Sequence, residues 1–406
     1  VDGLASLEVI LLIGSATALA GIAVALFGRR LSLPVPAILL LAASAVAIAL
    51  PTPPIGTRGV VRVATVGLVL ILFAGGLEIG LRRLRAALWP TIGLGLWATA
   101  ATAALGAVAA HVLVGMAWLP AAALGTALAP TDPAVVFSVL GPREIAGRLA
   151  TILEGESGAN DPVGIAAMLG VLALAGHGHV GVAAVVGAFL AQLLVGAAAG
   201  LAGGLALRAL VRHLPLPTPG LYPVLSLAGA FCLFGATGLA HGSGFLAVFV
   251  AGMVVADAGS PYQAEVERFH GALASLAELA VFIALGLTLP LSDLGGAWIP
   301  GLAMALLVAV VARPVAAGPV LAAVRLRPEE KLFATWAGLK GAVPILLAGF
   351  AVNAGLSSGR RIYEIVFVAV TTSVLLQGSS VGLAARLLHI ELAPRLHRPL
   401  RRADDA

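Results

Sequence analysis

The stretch Leu153-Glu154-Gly155-Glu156-Ser157-Gly158-Ala159-Asn160-Asp161-Pro162 sets three carboxylates, a hydroxyl and an amide inside a segment that is otherwise apolar. An ionised Asp at the middle of a bilayer costs about 2.5–3.5 kcal/mol on insertion scales. Three acids kept together in such surroundings point to a bound cation. Their oxygens are hard ligands, suited to Na⁺, K⁺ or Li⁺ and unlike the thiolate and imidazole set that zinc favours. At about 100° per residue, Ser157 shares a helical face with Asp161, and Glu156 shares a different face with Asn160. Glu154 lies two turns before Asp161 on the Asp161 side.

A second polar point complements the first. In Ala127-Leu128-Ala129-Pro130-Thr131-Asp132-Pro133 two prolines bracket Thr-Asp, so a helix must break there. Asp132 can cap the half-helix that follows. The half-helix that precedes ends in free carbonyls suited to a bare alkali cation. The expected cation set is Asp161, Asp132, Ser157 and the Thr131 hydroxyl or carbonyl. Glu156 is the expected partner of Arg313, and Lys340 is expected to set positive charge near the opposed half-helix end.

The elements that must position these groups follow from hydropathy. The chain has 406 residues, 60% hydrophobic and 11% charged, with a mean hydropathy of +1.06. No charge falls between Arg85 and Asp132, between Asp161 and Arg208, or between Arg212 and Asp257. About 20 apolar residues span a bilayer, so each gap holds two passes. The chain therefore reads as an all-α polytopic membrane protein, in which the formal +5 charge belongs to loop arginines and nucleic acid is not a partner. Lone Cys232 excludes an intrachain disulfide framework.

Thirteen spans are expected: Leu7–Phe27, Pro34–Leu50, Val63–Gly80, Pro90–Val114, Leu119–Leu140, Leu149–Ala175, Val180–Leu210, Gly220–Ala240, Gly244–Ala256, Gly271–Leu289, Ala297–Val324, Leu332–Val352 and Ile362–Leu388. The first lacks the basic flank and cleavage site of a signal peptide. The ninth is the weakest, short and flanked by glycine. Of the 24 Lys and Arg residues, all but Arg58, Arg62, Arg360, Arg361 and the in-span Arg313 and Lys340 fall after odd spans or in the tail. That asymmetry predicts an N-terminus outside and a C-terminus inside.

The twelfth span is interrupted at Gly338-Leu339-Lys340-Gly341-Ala342-Val343-Pro344, as the fifth is at Thr131-Asp132. Discontinuous spans of opposite direction mark an inverted repeat with its site between them. The organisation expected is one membrane domain over 1–406, with a first repeat half and linker span at 7–210, a second, inverted half at 220–388, and a basic cytoplasmic tail at 389–406. Asp161 falls about 18 Å into its span at ~1.5 Å per residue, near the midplane.

Thr131-Asp132-Pro133, Glu156-Ser157-x-x-Asn160-Asp161, Gly244-Phe245-Leu246-Ala247-Val248 with Ala251-Gly252, the run from Phe282 to Leu287, and Trp336 to Pro344 together resemble monovalent cation/proton antiporters of the NhaP type, in the cation/proton antiporter-1 family. The run from Glu154 to Pro162 looks most like the K⁺/H⁺ branch. Lys340 stands where the family often has Arg. The resemblance implies a homodimer in a bacterial inner membrane serving pH homeostasis, a mobile core of spans 4–6 and 11–13, and electroneutral exchange of K⁺ or Na⁺ for H⁺ at Asp161 without a cofactor. It also implies a C-terminal cytosolic regulatory domain, which this chain ends before.

Other readings rank below. An organic-anion symporter on a related inverted-repeat fold is disfavoured by the paired carboxylates, and an ion channel by a midplane site of broken helices. An intramembrane enzyme would need a motif such as His-Glu-x-x-His, which is absent. Glu78 and Glu278 read as positional or interfacial, and His177-Gly178-His179 as too small a set for a metal site. The glycines at 155, 158 and 164 lack the Lys-Ser/Thr ending of a phosphate loop.

Overall fold

The structure, a computed structural model, describes residues 15, 19–23, 26, 34–49, 56–133, 136, 140, 143–176 and 182–394, a few of them by backbone alone. In chain order the helices are α1 (Val35–Ile48), α2 (Thr57–Ile79), α3 (residues 81–114), α4 (Trp118–Ala127), α5 (Gly147–Gly176), α6 (Val182–His213) and α7 (Leu221–Leu239). They continue with α8 (Gly244–Ala256), α9 (Gln263–Leu287), α10 (Trp298–Ala323), α11 (Pro328–Trp336), α12 (Ala342–Asn353) and α13 (Gly359–Leu387). Eight of them are long and apolar enough to cross a membrane, among the described residues, while α1, α8 and α12 are shorter apolar helices. The first expected span lies largely outside the described residues, as does the half-helix expected after Asp132 and the His177-Gly178-His179 run.

Local chemistry sets several of the boundaries. Ser243 caps α8, its Oγ accepting the Leu246 N–H at 3.3 Å. Pro328 occupies the first turn of α11, and Glu330 reaches back to the Arg327 N–H at 2.7 Å. Single π-helical turns interrupt α3 at Gly93–Ala98, α10 at Val308–Ala312 and α13 at Val374–Gly378. Two of these lie in the helices of the expected fourth and eleventh spans.

The helices pack as two groups. One comprises α1, α2, α6, α7, α8 and α9; the other comprises α3, α4, α5, α10, α11, α12 and α13. The second group holds the spans named for a mobile core. The short ninth span forms over the expected residues: α8 has 13 residues, and most of it is buried between α2 and α6. Glycines permit that fit. A Cβ on Gly76 would stand 2.4 Å from the Phe249 carbonyl oxygen, and one on Gly252 would stand 2.4 Å from that of Phe73.

A small ladder departs from the all-helical expectation. β1 (Arg143–Ile145) pairs antiparallel with β2 (Leu392–Pro394), with Ile145 opposite Leu392. The start of the expected basic tail is thus paired with the segment that leads into α5.

Candidate functional site

Two breaks in the chain meet at the centre of the second group. α4 stops at Ala127 because Pro130 and Pro133 have no N–H to continue it. α11 stops at Trp336, and α12 starts at Ala342. Between them the Asp132 N–H donates to the Leu339 carbonyl at 2.8 Å, so the broken segments cross backbone to backbone. Only glycine fits that crossing at Gly341, where a Cβ would lie 1.9 Å from Asp132 Oδ2.

Lys340 sits at the crossing, 4% exposed. Its Nζ donates to the carbonyls of Ala129 and Pro130, each at 3.1 Å, and its backbone N–H donates to Ser373 Oγ at 3.1 Å. The charge is where the sequence puts it, at the carbonyl end of α4. It also corrects an expectation: the Ala129 and Pro130 carbonyls are taken by an ammonium group rather than left for a cation. A buried lysine needs acceptors, and these are the nearest unmade hydrogen bonds.

The nominated polar residues divide between two faces of α5. On one face Arg313 forms a fork with Glu156, Nη1 to Oε1 and Nη2 to Oε2, the latter at 2.8 Å. Arg313 is 3% and Glu156 1% exposed. Asn160 Nδ2 donates to Thr131 Oγ1 at 2.7 Å, and the Thr131 hydroxyl is directed at Glu156 Oε1, 3.5 Å away. The Thr131 hydroxyl is thus engaged by the amide of Asn160 on the ion-pair face.

On the other face Glu154, Ser157, Gly158 and Asp161 line a cavity of about 360 Å³, joined by Asp132 from the break. Asp161 is 6% exposed, and among the described residues no donor bonds its carboxylate. Most of the remaining wall comes from the other packing group, with Leu68, Leu72, Gly75 and Glu78 on α2, Gly271, Ala274, Ser275, Glu278 and Phe282 on α9 and Phe249 on α8, and Ala342 and Val343 of α12 complete it beside the break. Glu78 and Glu278 thus line the cavity where the two packing groups meet, an interfacial place that also borders the site. The signal was present in α9: Gly271, Ala274, Ser275, Glu278 and Phe282 follow helical spacing, a stripe of small residues around one acid.

A profile of the family described as sodium/hydrogen exchanger, transmembrane, matches residues 15–387. The chain belongs to that family. It is 33% identical over 336 residues to the K⁺/H⁺ antiporter NhaP2 of Shewanella sp. (strain MR-4), covering 82% of this chain and 58% of that protein. Against the K⁺/H⁺ antiporter NhaP of Alkalimonas amylolytica it is 34% identical over 332 residues, 81% of this chain and 58% of the relative. Against the Na⁺/H⁺ antiporter NhaP of Pseudomonas aeruginosa it is 29% identical over 351 residues, 79% of each. The chain thus spans 58% of the length of its K⁺/H⁺ relatives. The fold is that of the sodium proton antiporter MjNhaP1 from Methanocaldococcus jannaschii, with a TM-score of 0.77, 22% identity, and coverage of 92% of this chain and 99% of that one. With its run of long apolar helices, this exchanger-family chain is an integral membrane protein.

Proposed function

We propose that the chain is the membrane part of an antiporter that exchanges a monovalent cation, K⁺ before Na⁺, for a proton at Asp161. One observation carries this reading: a buried carboxylate, with no donor on it among the described residues, opens onto an acid-lined cavity at the crossing of two broken helices. The cation displaces the proton at Asp161, with Asp132 and Ser157 as the other oxygen ligands in reach of the cavity. Asn160, Thr131, Glu156 and Arg313 hold α5 against the break, and Lys340 balances the negative charge of the site. The group containing α4, α5, α11 and α12 moves against the other and carries either ligand across, in a bacterial inner membrane and as a homodimer. One carboxylate serving both ions makes exchange electroneutral. The choice of K⁺ first rests on the names of the K⁺/H⁺ relatives.

The test uses purified protein in proteoliposomes loaded with a pH-sensitive dye, K⁺, Na⁺ or Li⁺ being added outside. Dequenching by one cation, unaffected by clamped voltage and lost in Asp161→Asn while the variant stays folded, is the expected result; retained transport in that variant would sink the assignment. Because proton and cation compete, lowering the pH raises the apparent KM for the cation: more of the carboxylate holds a proton, so more cation is needed to displace it. A KM that stays constant across that range would argue for separate sites.

A further inference from the structure

The cavity is one-sided. Its lining on α5 runs from Glu154 to Asp161, on α2 from Leu68 to Ile79 and on α9 from Gly271 to Phe282. No lining residue comes from α5 beyond Asp161, from α2 before Leu68 or from α9 beyond Phe282. The open end is therefore the one where α2 finishes and Arg82, Arg83 and Arg85 follow.

Glu278 occupies the depth of Asp161 within this space. Counting at ~1.5 Å per residue, Asp161 lies about 21 Å along α5 and Glu278 about 22 Å along α9, both measured from the open end. Glu278 and Asp132 line the same cavity. Its neighbours on the lining stripe are Gly271, Ala274 and Ser275, too small to close the route to it, and Phe282, which floors the cavity. Glu278 also belongs to the other packing group. α9 is held by α1 and α2, whereas Asp132 and Asp161 ride with α4 and α5. A relative movement of the two groups changes the Glu278 to Asp161 separation, while Asp132 and Asp161 stay together.

We propose that Glu278 is a further cation-holding carboxylate of the transport path, fixed to the stationary wall. It faces the monovalent cation beside Asp132 and Asp161 when the cavity is open at the Arg82 end, and is left behind when the moving group turns to the other side. This rests on Asp161 being the exchange site. That site supplies the feature that points to a ligand: a carboxylate 6% exposed, aimed into the cavity, with no donor on it among the described residues. A cleft of one charge sign with low-dielectric walls concentrates counter-ions. Glu278 does so on one side of the membrane only, which makes the apparent cation affinity asymmetric.

The experiment measures exchange in everted and in right-side-out vesicles from a host lacking its own cation/proton antiporters, with K⁺ and Na⁺ as probes. It compares the parent, Glu278→Gln, Glu278→Asp and Asp161→Asn, at matched amounts of folded protein. The expected result is a several-fold higher KM in Glu278→Gln when the cation is presented at the Arg82 face, with maximal rate kept and the opposite face changed less than twofold. Glu278→Asp should recover part of the affinity. An equal loss on both faces, or an unchanged KM on both, overturns the role of Glu278 while leaving Asp161 untouched. A parent inactive with every cation overturns the antiport reading, and this inference with it.

Discussion

Arg313 and Glu156 form an ion pair with almost no contact with solvent, and its value is specific to the pair. Removing one partner from a buried pair leaves the other charge without compensation, at a cost of about 3–5 kcal/mol, whereas replacing both by apolar groups is close to neutral. Arg313→Met should therefore lower the unfolding midpoint of the detergent-solubilised protein strongly. The double variant Arg313→Met with Glu156→Leu should recover most of that loss. Equal midpoints for parent and single variant would mean that the fork does not hold α5 in place. Exposed Arg360, paired with Asp293 at 2.9 Å and with Glu364 at 2.8 Å, has no comparable leverage because water competes for it.

At the scale of elements, the half-helix α4 depends on a residue 210 positions later in the chain. The final carbonyls of a helix carry partial negative charge, and a cation there is worth roughly 0.3–1 kcal/mol when exposed and up to about 2 when partly buried. Lys340 supplies it to Ala129 and Pro130. Lys340→Leu should lose both bonds and with them the fixed position of Thr131 and Asp132. Exchange should fall at least tenfold, while Lys340→Arg keeps the charge and a measurable rate. Dye-reported flux in proteoliposomes decides between them, and a Leu variant as fast as the parent would show that the crossing stands without the lysine.

Over the whole molecule, the two packing groups touch through polar contacts at both ends: the Arg82 N–H donates to Asp257 Oδ2 at 3.0 Å at the cavity end, and two further contacts lie at the opposite end. Thr288, at the end of α9, meets the Tyr363 hydroxyl of α13 at 2.6 Å. Arg360 of α13 meets Asp293 in the turn after α9. A conformer open at that end must break both. A net hydrogen bond contributes about 0.5–1.5 kcal/mol and an exposed ion pair about 0–1. Tyr363→Phe with Arg360→Gln should therefore shift the population toward the opposite opening by about tenfold. The apparent KM should fall when the cation is presented at the Tyr363 face and rise at the Arg82 face. Identical shifts on both faces would refute a latch.

Much of this was legible in the sequence because its causes are local. Charge-free apolar runs specify membrane helices, prolines around Thr131-Asp132 specify a break, and helical spacing separates Ser157 and Asp161 from Glu156 and Asn160. Even the Arg313 and Lys340 assignments follow from local need, since a charge in an apolar span demands a counterpart. What spacing cannot give is which distant surfaces face each other. Only the tertiary packing brings Glu78 and Glu278 across from Asp161, gives the Ala129 and Pro130 carbonyls to Lys340, assigns the Thr131 hydroxyl to Asn160, and joins Arg143–Ile145 to Leu392–Pro394. The helical period of α9 shows that Glu278 lies on a stripe of small residues. Only the packing of α9 against its neighbours decides that the stripe borders a cavity and not a lipid tail or another helix.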